Sequence, residues 1–321
     1  MIIKNDITEC IGNTPLVWLN KFCANHETKV AAKLEMFNPF SIKDRPAYYM
    51  VHEAEVRGDI SEGTTIIEAS SGNTAIALAY VCLIKKYKLI ICMSEIQSVE
   101  RREVLKAFGA ELILTPAALG TKGARAKAKE LTAKIKDSYY ICQHSNPDNI
   151  TAHIKTTAEE LWRDTDGEIA AFVCGLGTTG TAMGVSQVIK KRNPDFKIIG
   201  VEPVEAPMLK EGKFQPHRMM GTAPGWVPDL YDSSYVDEIF LVSEDEAFSS
   251  CRKLIGDEGL LVGITSGATA FAARAIAERP EFKGKLIVCM FADTGERYLS
   301  VDGLFKRVEG LNIFNPSSSH I

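Results

Sequence analysis

Lys43 lies in NPFSIKDR, residues 38–45, between an apolar run, AAKLEMF, and a helical segment, DRPAYYMVHEAEVRG. Ser41 followed by Asp44 has the S-x-x-D form of a capping box, which places Lys43 in the first turn of that helix. A cation there faces the positive end of the helix macrodipole, unfavourable by a few tenths to about 1 kcal/mol. On this segment alone, a surface lysine that tolerates its position explains the pattern. The other reading is an amine held below its free pKa of roughly 10.4, because only the neutral form attacks a carbonyl.

Other stretches open helices with glycines and hydroxyls: SSGNT at 70–74, GLGTTGT at 175–181 and TSGA at 265–268. Each offers unpaired backbone N–H groups, little side-chain bulk and hydroxyl donors, the makings of an anion site. Residues 175–180 also satisfy G-x-G-x-x-G, and the next strand-like run, KIIGVEP, carries Glu202 about where a ribose-binding acid falls. On that motif alone a nicotinamide oxidoreductase stays open.

The elements that must position these residues alternate along the chain. Strand-like runs such as KVAAKLEM, TTIIEAS, KLIICMS, AELILTP, AAFVCGLG, KIIGVEP and KLIVCMFADTG are followed by helical periods. Nearly continuous apolar strands in that alternation predict an α/β protein, with two domains of mainly parallel twisted sheets flanked by helices. Ligands of such sheets bind at strand-to-helix junctions. The turn cluster NPDN at 146–149 marks a crossing between the units, and the Ser-rich end, 311–321, is expected to fray.

The 321 residues carry 45% hydrophobic and 24% charged side chains and a net charge of -4, an ordinary globular balance with no basic excess for nucleic acid. The start lacks a signal-peptide layout and AIALAYVCLI is cut short by KKYK, so no membrane partner and a cytoplasmic location are expected. The eight cysteines form no C-x-x-C pair and are expected to be reduced, with no metal site.

Taken together, the motifs resemble the pyridoxal-phosphate enzymes of the cysteine synthase and cystathionine β-synthase family over nearly the whole chain. The matching stretches are IGNTPL at 11–16, KDR at 43–45, SGNT at 71–74, ERR at 100–102 with LKAFGAEL at 105–112, and Gln143 with Asn146 and Pro147. HIKTT at 153–157, GTTGT at 177–181, GITSG at 263–267 and DTGERYLS at 293–300 complete the series, in register. The GTTGT loop resembles the B-type cysteine synthases more than the A-type.

The resemblance implies the tryptophan synthase β-like fold (fold type II) and pyridoxal 5'-phosphate as cofactor. It implies a homodimer acting on small-molecule amino-acid substrates. Lys43 becomes the Schiff-base lysine. Gly177, Thr178, Thr179, Gly180 and Thr181 become the phosphate loop, and Asn73 the partner of the cofactor's 3-oxygen. Ser70, Ser71, Gly72, Thr74 and Gln143 become the clamp on the substrate carboxylate. Thr265, with Ser266 beside it, aligns with the hydroxyl that faces the ring nitrogen. A neutral partner there leaves a modest electron sink, suited to chemistry at Cβ.

The expected reaction is β-replacement on an activated serine or cysteine through an α-aminoacrylate, with cysteine synthase leading. A cysteine-consuming, sulfide-releasing enzyme and a serine/threonine dehydratase are the alternatives. A small domain of residues 40–147 is expected to close on a large one of 1–39 and 148–310. The sequence departs from the family where NPFSIK lacks a glycine before the lysine, and where Gln97 replaces a methionine. It departs again where GTAPGWVP, from Gly221, carries Trp226 and Pro224. Asp229 follows, and Gln97, Gly221 and Asp229 are placed at the substrate cleft, Asp229 as a candidate base.

Overall fold

The computed structural model describes residues 3–24, 27–96 and 99–305; Gln97 and the tail 311–321 lie outside them. The strands are β1 (Leu16–Trp18), β2 (Lys29–Leu34), β3 (Thr65–Ala69), β4 (Lys88–Ser94), β5 (Glu111–Thr115), β6 (Ser138–Tyr140), β7 (Ile169–Gly175), β8 (Lys197–Pro203), β9 (Glu238–Val242) and β10 (Leu286–Phe291). The helices are α1 (Asp44–Arg57), α2 (Asn73–Lys85), α3 (Val99–Ala107), α4 (Gly120–Lys134), α5 (Asp148–Ala152), α6 (Ala158–Asp164), α7 (Gly180–Arg192), α8 (Met208–Glu211), α9 (Glu244–Glu258) and α10 (Ile264–Ala277).

Two sheets result. One runs β5-β4-β3-β6 and is parallel throughout. The other runs β1-β2-β10-β7-β8-β9, parallel except for β1, which pairs antiparallel with β2. Side chains alternate across a strand, so each sheet feeds two cores. Ile66 packs with Ala47, Met50 and Ala77 of α1 and α2, whereas its neighbour Ile67 packs with Ala124 and Ala128 of α4. Likewise Ile287 and Cys289 face α9 and α10, while Val288 and Met290 face α7. Burial on both faces explains why these strands read as continuous apolar runs.

The turn into α1 differs from the expected capping box. The Asp44 carboxylate does reach back, accepting from the N–H groups of Phe40 (2.7 Å) and Ser41 (3.0 Å). The Ser41 hydroxyl, however, accepts from Lys43 N at 3.2 Å, and Lys43 is the residue at the cap itself. A complete box heads α9, where Ser243 and Glu246 satisfy each other's N–H groups.

Behind α1 lies a buried ion network. Arg45 binds Glu35 through Nε (2.6 Å) and Nη2 (2.8 Å), and Glu160 through Nη1 (2.7 Å) and Nη2 (2.8 Å). Lys33 joins Glu160 at 2.8 Å, and Thr14 donates to Glu35 at 2.6 Å. Planar, two-pronged guanidinium pairing satisfies charges that burial would otherwise make costly. The network ties β2, the start of α1, α6 and the segment before β1 into one rigid wall two residues from Lys43.

Candidate active site

A cavity of about 470 Å³ opens where the carboxyl ends of β3, β7 and β10 meet their following loops. Lys43 lies at its wall, together with Ser70, Ser71, Gly72, Asn73, Thr74, Gln143, Gly177, Thr178, Thr181, Gly221 and Thr265. Segments far apart in sequence thus converge at the site expected for an open α/β sheet.

Lys43 is fixed from both sides. Ile42 N donates to Ala292 O at 2.9 Å, tying the residue before it to the end of β10, and Lys43 O accepts the N–H of Ala47 at 3.0 Å. Burial pushes the Lys43 amine below its ordinary value, and the Asp293 carboxylate partly opposes this. Asp293 is itself buried, which raises it, against the hydrogen bonds of Tyr298 and Asn73.

The phosphate-type loop is held from beneath. A Cβ on Gly177 would sit 2.2 Å from the backbone oxygen of Gly221, and one on Gly180 would sit 2.1 Å from the side-chain Oδ1 of Asn149, so a side chain at either position would collide. Thr179 caps α7 at φ +68°, a strained conformation for a β-branched residue. The first N–H groups of α7 have no intrahelical partner, and the helix dipole favours an anion before them. The HIKTT motif forms a π turn, His153–Thr157. It sets His153 Nε2 3.1 Å from the Thr181 hydroxyl and Nδ1 2.9 Å from that of Thr157. Burial, then Arg45 and Lys43, keep this imidazole neutral.

Opposite, α2 starts at Asn73. The Thr74 hydroxyl donates to Gln143 Oε1 at 2.7 Å, and Gln143 Nε2 donates to Glu68 Oε1 at 3.2 Å. Asn149 Nδ2 donates to both Gln143 O (2.8 Å) and Thr178 Oγ1 (3.1 Å), coupling this loop to the phosphate-type loop.

Not every predicted residue turns its polar group to the cavity. Thr265 lines the cavity, but its hydroxyl donates to Met220 O at 2.7 Å and must turn away from it to serve a ring nitrogen. Ser266 does not line the cavity: fully buried, its Oγ accepts the N–H of Ala292 at 3.0 Å. Thr179 and Gly180 support the loop without lining the cavity. Asp229 is not brought to the cleft either; it is exposed and its carboxylate accepts from Ser145 Oγ. Gln97 falls outside the described residues. Glu202 serves no ribose: it accepts the N–H groups of Leu209 (2.9 Å) and Lys210 (3.1 Å), capping α8.

Sequence reasoning missed His144, His217, Arg101, Asp293 and Tyr298 in the lining. Asp293 and Tyr298 lie in the DTGERYLS match, which was the available signal. Trp226 packs against His144 at 5.0 Å and beneath the Arg125 guanidinium at 4.4 Å. Burial, with Arg125 and Lys43 nearby, lowers His144 to about 3.

A cradle of N–H groups and hydroxyls at the head of α7, facing a lysine whose amine is biased toward neutrality, fits a phosphorylated aldehyde cofactor. The profile of the family described as "Pyridoxal-phosphate dependent enzyme" matches residues 7–293. A probable cysteine synthase of Bacillus subtilis is 44% identical over 304 residues, 94% of this chain and 97% of that one. The crystal structure of a cysteine synthase from Entamoeba histolytica superposes with a TM-score of 0.91 at 39% identity, covering 94% of this chain and 90% of that one. That of a hydrogen sulfide-producing enzyme from Fusobacterium nucleatum gives 0.87 at 41% identity, covering 92% and 100%. The fold and site define a cofactor-dependent enzyme of amino-acid chemistry. The chain belongs to the pyridoxal-phosphate dependent enzyme family, and its cofactor is pyridoxal 5'-phosphate. The nicotinamide reading of residues 175–180 is thereby set aside.

Proposed function

We propose that this protein is a β-replacement enzyme that makes cysteine from an O-activated serine, as its acetyl or phosphoryl ester, and sulfide. The observation that carries the reading is the convergence in one cavity of Lys43, of Gly177, Thr178 and Thr181 from the loop before and into α7, and of the donors Ser70 to Thr74 with Gln143. Similarity to cysteine synthases over most of the chain supports it. When bound, pyridoxal phosphate supplies the electron sink that lets an amino acid lose its α-proton and then its β-substituent.

The rest falls to the protein's own groups. Thr178, Thr181 and the first N–H groups of α7 hold the phosphate. Lys43 Nζ, biased toward the neutral form, binds the aldehyde and moves the α-proton. Asn73 holds the cofactor's phenolic oxygen, and Thr265 turns its hydroxyl from Met220 to the ring nitrogen. Ser70, Ser71, Gly72, Thr74 and Gln143 hold the substrate carboxylate. Residues of about 40–147 close over the cleft as a small domain and exclude water, with Trp226 meeting His144 and Arg125 from the other side. The proposal includes a cytoplasmic homodimer; among the described residues no helix is long and apolar enough to cross a membrane.

A second reading, release of sulfide from cysteine, is favoured by the similarity to the Fusobacterium nucleatum enzyme. One experiment separates them. Purified holoenzyme is given O-acetylserine or O-phosphoserine with sulfide, or cysteine alone. Cysteine formation far faster than sulfide release supports the synthase; the reverse ratio supports the second reading.

A further inference from the structure

Glu68 is the penultimate residue of β3, beneath the loop that precedes α2, and is 1% exposed. Its Oε1 accepts from Gln143, while its Oε2 is buried without a hydrogen-bonding partner. A buried carboxyl with one oxygen unpaired is costly as an anion and is far better accommodated with a proton. Gln143 in turn accepts the Thr74 hydroxyl at 2.7 Å, and both Gln143 and Thr74 line the cavity. The three side chains form a relay whose far end faces the proposed substrate carboxylate.

We propose that Glu68 is a positioning residue for that carboxylate: through the Gln143 amide, its protonation state decides whether the Thr74 hydroxyl is free to donate to the substrate. The proposal rests on the carboxylate-clamp reading given above. An ionised Glu68 accepts only, so it demands the Gln143 N–H; the Gln143 carbonyl is then turned to Thr74 and consumes its O–H. The hydrogen bonds of the structure are in this arrangement. A protonated Glu68 can instead donate to the Gln143 carbonyl. The amide, nearly isosteric end for end, turns over and donates Nε2–H to Thr74 Oγ1, and the Thr74 O–H is released toward the cleft. Charge acts in the same sense, since an ionised Glu68 repels a nearby anion.

The surroundings favour the protonated form near neutrality. Burial raises Glu68 to about 8, against the Gln143 amide and the backbone N–H groups of Cys142 and Gln143. Arg125 of α4 is the cation that faces it and opposes the rise. Tyr140 of β6 and Cys92 of β4 are raised by burial, Cys92 to about 11, and stay neutral across the range that matters. His144, beside Gln143, is neutral throughout. Substrate-carboxylate affinity should therefore fall as pH rises through about 8, with carboxylate binding linked to proton uptake above that value.

The test is calorimetric binding of propionate, a carboxylate without an amine, to holoenzyme between pH 7 and 9.5, in buffers of two ionisation enthalpies. Wild type should lose about thirtyfold in affinity over that range and take up a proton on binding at the upper end, as one linked proton requires. Glu68→Gln should hold the affinity seen for wild type at pH 7 across the range, with no uptake. Gln143→Leu should weaken binding about tenfold at pH 7 and abolish the pH dependence. If Gln143→Leu leaves propionate affinity unchanged, the clamp reading fails and the relay with it. If Gln143→Leu weakens binding but Glu68→Gln keeps the wild-type profile, the relay alone is overturned. A flat wild-type profile overturns it whether or not the Glu68 variant folds.

Discussion

Asn73 donates its amide Nδ2 to Asp293 Oδ2 at 2.6 Å, joining the first residue of α2 to the loop after β10. Tyr298 donates its hydroxyl to the same oxygen, also at 2.6 Å. The Asn73 amide is thereby fixed with its nitrogen toward the large-sheet side, and the same carboxylate is the group that opposes the lowering of Lys43. One buried acid therefore orients the Asn73 amide, proposed to meet the cofactor, and favours the charged form of the Lys43 amine.

Replacing Asp293 by Asn removes the negative charge that favours the ammonium form of Lys43. The pH midpoint for modification of Lys43 by an amine-directed reagent in the apoprotein should move down. Mass spectrometry of the Lys43 peptide across pH measures it. An unmoved midpoint would mean that Asp293 does not act on Lys43.

Gly177→Ala places a Cβ against the Gly221 carbonyl, a contact that backbone must move to relieve. The expected result is a folded protein whose apo form binds pyridoxal phosphate at least about tenfold more weakly, a change of roughly 1.4 kcal/mol. Fluorescence titration reads the affinity, and circular dichroism checks the fold. Wild-type affinity would show that the loop does not carry the phosphate.

The ion network behind Lys43 should be stability-critical. Arg45→Met leaves Glu35 and Glu160 buried without their main partner and should cost about 3–5 kcal/mol in urea unfolding. Burial raises Glu160, but the bonds and charges of Arg45 and Lys33 outweigh it and hold it at about 2. That contribution is complete above the ordinary glutamate value of 4.5 and is lost as pH falls toward 2.

Asp44 and Glu68 act in the opposite sense. Burial raises them to about 7 and about 8, so the folded protein keeps protons that the unfolded chain has released. Their contribution is present below about pH 4 and declines as pH rises toward 8. Stability of the apoprotein should therefore fall between pH 5 and 8, with a shallower slope in Glu68→Gln. A slope identical to wild type would place Glu68 among ordinary carboxylates.

Much of this was legible in the sequence because it is local. The apolar runs that became β3, β4, β7 and β10 announce strands buried on both faces by their continuity, and the helix-opening loops 70–74 and 177–181 advertise unpaired N–H groups. What escaped depends on where side chains turn. Ser266 and Thr265 are neighbours, yet at the start of α10 one faces the core and the other the cavity. Asp229 follows a proline in a cleft-lining segment, but Ser145 draws it away. Arg45 and Glu160 are 115 residues apart, so no spacing could announce their pairing. The antiparallel edge strand β1, at three residues, is too short to show a period.

Lys43 is proposed to carry the cofactor, and borohydride reduction of the holoenzyme followed by peptide mapping identifies the lysine that does. Pyridoxyl-phosphate mass is expected on the peptide containing Lys43, and none covalently attached after the same treatment of Lys43→Ala. Cofactor mass on any other lysine, or a covalent label in the alanine variant, would contradict it.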